Sequence, residues 1–428
     1  MGSPQTATLR HILPAAGGRR RELLRSGAVL GVAVGAANLL QVVFHVAMAR
    51  MLKPAEYSLL ASLLAVVMIF TVPTLALQAA VAREVAERMA DEDAASAGLV
   101  LRQVWRWLWR LLVPVACALA VVSVPLAIVL NVHRPTAIFA TALTLAATAT
   151  LPVIWGGLQG THRFGALGGA QTAFAVLKLA LGIALAVAGT GAAGVMFGVA
   201  GVTVIVAGLS LIPLAGLWRQ SRRLELTPMN GLAGHAMTAV LALSLFAAMT
   251  NFDLLVARVA FAPSVSGVYA AASLTGRTIL LLPTIATTLL FPHVAVLRDR
   301  ERERRYLLVG LAFVGLLGLA TSAVLLAVPR LFLDLVFGSR YAGAAGWIGP
   351  LLIGMTLYAL VQTYTYHFLS LDRRRFWIVL AGGLLAQSAL FAVLHATPMQ
   401  LVSIQIAVPA ALLALCEIFD RRHRRPQS

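Results

Sequence analysis

The chain has 428 residues, of which 60% are hydrophobic and 12% charged, with a formal net charge of +18. That composition excludes a water-soluble globular fold. The apolar residues come in blocks near the length of about 20 residues that a helix needs to cross a bilayer core, without the polar alternation of an outer-membrane barrel, so the expected fold class is all-α integral membrane.

In chain order, residues 1–25 form a basic N-terminus with Arg19, Arg20, Arg21 and Arg25. The apolar run from Ser26 to Met48 is too long for a signal-peptide core and reads as a retained first span. About twelve spans are predicted in all, near 26–48, 57–81, 109–131, 137–158, 166–189, 191–217, 235–258, 266–291, 307–329, 344–368, 376–395 and 399–418. The polar stretch 218–231 separates a first half (26–217) from a second (232–418), and residues 419–428 form a basic tail. Cys117 and Cys416 both lie in apolar blocks, so neither a disulfide framework nor a cysteine-rich metal site is expected, and no cofactor or metal motif is present.

With the N-terminus inside, most of the basic residues fall in cytoplasmic segments. Only Arg50, Lys53, Arg134, Arg258, Arg330 and Arg340 fall outside, and Lys178 and Arg277 lie within spans. This asymmetry predicts a multi-pass protein of the plasma (inner) membrane with both termini cytoplasmic. It also accounts for the net charge without nucleic acid, because the basic residues are dispersed between apolar blocks rather than gathered on one face.

A weak internal repeat runs through the chain. Ala49-Arg50, Pro54, Tyr57-Ser58 and Ala61 are echoed by Ala257-Arg258, Pro263, Ser266-Gly267 and Ala270, and Val72-Pro73-Thr74-Leu75 by Leu282-Pro283-Thr284-Ile285, 210 residues on at the prolines. Thr161-His162-Arg163-Phe164 likewise meets Arg373-Arg374-Arg375-Phe376. An even number of spans per half keeps the orientation, so the halves are expected to be parallel repeats about an axis along the membrane normal.

The segment 49–61, followed by Gln78-Ala-Ala-Val-Ala-Arg83, resembles the opening of polysaccharide (O-antigen-type) flippases of the multidrug/oligosaccharidyl-lipid/polysaccharide exporter superfamily. Further family-like stretches are Gly157-Leu-Gln-Gly160 with Arg163-Phe164, Asn251-Phe-Asp253 with Gly267-Val-Tyr-Ala270, and Phe337-Gly338 with Tyr341-Ala-Gly343. Ser58 departs from the pattern, standing where the family often has glycine. The resemblance implies two six-helix lobes around a central cavity that alternates between cytoplasm-facing and outward-facing states. It also implies a lipid-linked glycan as the substrate carried across the membrane lipid, with glycan-assembly proteins as candidate partners.

An ionisable group deep in a bilayer is costly and tends to face a water-filled cavity or a partner. Lys178 sits mid-span, and Arg277 offers a guanidinium fork suited to phosphate oxygens, so both are candidate ligands of an anionic head group; the alternatives are a structural ion pair and a lobe-stabilising hydrogen bond. Gln78 and Gln171 join them as cavity candidates, among other polar span residues (Asn38, Gln41, Gln362, Tyr364, Tyr366 and Gln387) that commonly serve as interhelical hydrogen-bond partners. Asp253 is a candidate for neutralising such a cation or for proton or sodium coupling, and its spacing from Arg258 is poor for a direct pair. His45 is a second coupling candidate, with a satisfied buried histidine as the bland reading. Pro73 and Pro283 are expected to bend their helices.

Trp105, Trp107 and Trp109 interleave with Arg102, Arg106 and Arg110 as an interfacial anchor. The mixed-charge stretches 83–95 and 299–305 read as solvated cytoplasmic helix. An integral-membrane glycan transferase or polymerase would need a catalytic constellation, yet the short outer loops hold only Glu56 and Asp334 as acids, so no enzyme is expected. A multidrug or cation antiporter is the nearer rival, although spans one to six hold Lys178 and no deeply placed acid.

Overall fold

The computed structural model describes residues 15–110, 136–221, 224, 233–283, 300–371 and 373–424. Every regular element among them is helical, as a bilayer requires when backbone groups have no water to bond. The first helices are α1 (Ala15–Met51), α2 (Pro54–Thr71), α3 (Thr74–Ala90), α4 (94–110), α5 (Thr136–Thr148), α6 (Leu151–Gly160), α7 (Phe164–Val187), α8 (Gly191–Leu211) and α9 (Ala215–Gln220). There follow α10 (Ala233–Ala260), α11 (Pro263–Arg277), α12 (Arg300–Ala327), α13 (Pro329–Val336), α14 (Ala345–Ser370), α15 (Trp377–Val393) and α16 (Pro398–Arg424).

Nine helical stretches among the described residues are long and apolar enough to cross a membrane, and α15 is apolar but shorter. The expected third span and the end of the eighth, with most of the 218–231 linker and Cys117, lie outside the described residues.

Proline sets both the starts and the breaks. Pro54, Pro263, Pro329 and Pro398 open their helices, where the missing N–H is no loss. Pro73 falls between α2 and α3, which together fill one span of 37 residues. Arg277 is followed by a 3₁₀ turn, Thr278–Leu281, that leads to Pro283. Two further breaks were not anticipated: Pro152 starts α6 within the stretch Thr136–Gly160, and Pro213 sits in the 3₁₀ turn joining α8 to α9.

In the first half α1 packs on α7, α3 on α6, α5 on α8 and α7 on α8; in the second, α14 packs on α11, α12 and α16, and α15 on α10 and α16. The seam between the two sets is made by α2, which lies against α10 and α11. Small residues allow the closest approaches. A methyl group on Gly156 would stand 2.8 Å from the Gln78 carbonyl oxygen, and one on Gly160 2.6 Å from that of Ala82, so this glycine pair lets α6 lie directly on the backbone of α3. Gly267 of α11 meets the Pro54 backbone in the same way.

Candidate functional site

Lys178 projects from α7 into a buried position (4% exposed) beside α1. Its ammonium donates to Gln41 Oε1 at 2.8 Å and stands 4.3 Å from the centroid of the Phe44 ring. An amide oxygen and an aromatic face stabilise a cation without neutralising it. No carboxylate pairs with Lys178 among the described residues, so the charge stays uncompensated. Gln171 lies seven residues earlier on the same face of α7 and is half-buried.

His45 follows Phe44 on α1, edge-on to its ring, with Nδ1 buried and unpartnered. Lys178 and Arg277 both lie within electrostatic reach of it.

Arg277, at the C-terminal end of α11, is held differently. It donates to Asp253 Oδ1 at 2.5 Å and to Asn251 Oδ1 at 3.0 Å, both on α10, while its Nε is buried without a partner. Asp253 is fully buried and also accepts from the Tyr269 hydroxyl at 3.0 Å and the Ser273 hydroxyl at 2.8 Å. Asp253 thus neutralises Arg277, one of the roles considered for it above, and Arg277 is not a free cation in this state.

The remaining candidates divide. Gln78 donates to Gln159 at 3.2 Å across α3 and α6. Gln362 donates to Tyr366, Tyr364 to Glu417, and Gln387 to the Met249 carbonyl and to Gln405, which marks these as bonds within the second half. Of the mixed-charge stretches, 83–95 has a buried Val85 but carries its charges on half-buried to exposed positions, with the i,i+4 pairs Arg83–Glu87 and Arg88–Glu84. In the 299–305 stretch, Asp299 lies outside the described residues, and Glu303 and Arg304 depart from the solvated reading. Arg304 binds Glu417 at 2.8 Å and Asp420 at 3.0 Å, Arg373 binds Asp420 at 2.9 Å and Glu303 at 3.4 Å, and His367 Nε2 stands 3.3 Å from Glu303. These groups tie α12, α14 and α16 together. Glu303, His367 and Asp420 are close enough to share a metal ion, but guanidinium groups engage both Asp420 oxygens, so the arrangement suits an ion-pair clamp better.

At the opposite, arginine-poor end, hydrogen bonds cross the seam. Arg50 donates to the Leu335 and Val336 carbonyls, Arg340 to the Arg50 carbonyl at 2.6 Å and Tyr341 to the Ala49 carbonyl at 2.8 Å. Nearer the α2–α11 contact, Ser58 and Ser266 bond hydroxyl to hydroxyl at 2.8 Å, Ser62 reaches the Leu254 carbonyl at 3.3 Å, and Arg258 reaches Ala55 and Ser58 at 3.4 Å. Ala49, Arg50, Ser58, Arg258 and Ser266 among these stand in the segments of the internal repeat.

A family model described as "Polysaccharide biosynthesis protein" matches residues 47–346, more than half of the chain. The chain belongs to that polysaccharide biosynthesis protein family. No curated protein matches it. Among solved structures, the chain is similar to a multidrug resistance MATE family transporter in an inward-facing conformation (TM-score 0.70, 13% identity, covering 92% of this chain and 96% of that one). It is also similar to the lipid II flippase MurJ in an inward closed conformation (0.68, 11%, covering 92% and 87%). A third match is the eukaryotic MATE transporter AtDTX14 (0.64, 13%, covering 94% and 99%). This family member therefore shares the fold of these transporters, and its apolar helices make it a multi-pass membrane protein.

Proposed function

We propose that the protein is a flippase that carries a lipid-linked anionic oligosaccharide or polysaccharide precursor from the cytoplasmic to the outer leaflet by alternating access. In this reading two six-helix lobes, 26–217 and 232–418, enclose a central cavity, and the arginine-rich end with both termini is cytoplasmic. The observation that carries the substrate charge is Lys178, a buried ammonium cradled by Gln41 and Phe44 and paired with no carboxylate among the described residues. Such a site is poised for an anion, because an arriving phosphate supplies the counter-charge that the protein withholds. Arg277 lies across from it on the second half. A diphosphate drawing Arg277 from Asp253 would bridge the halves, with Gln171 beside it and Gln78 toward the α3–α6 contact.

The neutralisation of Asp253 by Arg277 weighs against a cation antiporter, since an incoming cation would have to displace a guanidinium. Coupling to a proton or sodium ion is assigned in this reading to Asp253, once it is released from Arg277, and to His45. Pro73 and Pro283 are the bending points. In this reading the bonded seam at the arginine-poor end closes the outer side, which supports an inward-facing state.

The test is translocation of a fluorescent lipid-linked glycan in proteoliposomes. Lys178→Ala is expected to lower the rate at least ten-fold at unchanged expression, and Lys178→Arg to keep part of it; wild-type rates for both Lys178→Ala and Arg277→Ala would overturn the cavity assignment.

A further inference from the structure

We infer that the end of α4, together with α9, is a binding site for the headgroup of an anionic phospholipid. The segment starts in an acidic turn, Asp91-Glu92-Asp93, where the Ser96 N–H donates to Asp93 Oδ1 at 2.9 Å and caps the helix. Further along the character reverses. Arg102, Arg106 and Arg110 recur at one-turn spacing and form a single stripe. The same helical geometry puts Trp105 and Trp109 along one flank of the stripe and Trp107 on the other.

The local packing holds this surface open. Trp105 stands edge-on between Trp109 at 6.1 Å and Trp218 of α9 at 5.6 Å. The foot of the stripe is pinned where Arg102 donates to the Ser221 carbonyl at 2.5 Å, just past α9. Beyond it Arg106, Arg110 and Arg219 are exposed, as are Trp107 and Trp109 at 52% and 40%. Among the described residues no carboxylate pairs with Arg106 or Arg110, and the acids of the segment lie at the far end of α4.

Indole rings favour the depth of the headgroups, and guanidinium groups there attract net negative lipid through paired bonds to phosphate. A zwitterionic lipid offers the same phosphate without the net charge, so the complementarity selects an anionic one. The site stands apart from Lys178 and Arg277 and does not rest on the flippase reading.

The experiment is native mass spectrometry of the full chain in detergent, titrated with phosphatidylglycerol or with phosphatidylcholine of the same acyl chains. Phosphatidylglycerol is expected to bind more tightly, and R106Q/R110Q to lose that preference, on the order of five-fold for each arginine removed. Equal binding of the two lipids, or an undiminished preference in the double variant, overturns the proposal. So does a preference abolished by millimolar inorganic phosphate, which would mark a site for a free anion. If the double variant aggregates, R106Q and R110Q are measured singly. Quenching of tryptophan fluorescence by brominated phosphatidylglycerol is then compared in the wild type and in W107F/W109F: a smaller quenched fraction in the variant supports the site, and an unchanged one refutes it.

Discussion

Asp253 and Arg277 show how much depends on a pair of side chains. Both sit where water is scarce, and each supplies the other's counter-charge. Removing one partner leaves an uncompensated buried charge, a loss of about 3–5 kcal/mol. Asp253→Ala is therefore expected to lower the thermal unfolding midpoint in detergent markedly, whereas Asp253→Asn with Arg277→Gln, which removes both charges and keeps hydrogen-bonding capacity, should recover most of it. A double variant no more stable than Asp253→Ala would mean that the pair contributes through packing rather than charge. Lys178 could be read from sequence because a lone lysine in a span is conspicuous. The Arg277 contact could not be fixed that way, since α10 and α11 bring the two residues together only when packed. The clamp of Glu303, Arg304, His367, Arg373, Glu417 and Asp420 was hidden for the same reason. Each member looks like an ordinary membrane-boundary charge in its own segment, and only the convergence of α12, α14 and α16 buries them together.

Helices were the most legible level, because the bilayer writes their length and apolarity directly into the sequence. Their interruptions were half legible. Pro73 drew notice through its repeated counterpart Pro283, while Pro152 and Pro213 break spans without such a partner. The α3–α6 contact is set by what the helices lack. Gly156→Leu would push a branched side chain into the Gln78 carbonyl and Val81, and overpacking of this kind costs about 1–3 kcal/mol. Reduced yield of monodisperse protein on size exclusion is the expected result, with Gly165→Leu as the control, because no atom lies within 4 Å of a methyl group there. Equal yields for the two variants would show that α3 and α6 separate freely.

For the molecule as a whole, the parallel repeat suggested two related halves but not where they touch. That required the structure, because Ser58, the departure from the family pattern, pairs with Ser266 across the seam. The two hydroxyls touch at 2.8 Å, so Ser58→Cys with Ser266→Cys brings two thiols together and is expected to cross-link under mild oxidant, halt transport and regain it on reduction. Undiminished transport after complete cross-linking would mean that this end need not open. The chemistry of the seam bears on what could open it. The bonds described there end on backbone carbonyls and on the hydroxyls of Ser58 and Ser266, acceptors that do not titrate and, for the carbonyls, that no substitution deletes. At the carbonyls, sequence drift can loosen such a fastening only from the donor side. On the flippase reading proposed above, release of this seam would come from strain delivered by cargo, so an empty carrier would keep it shut and leak little.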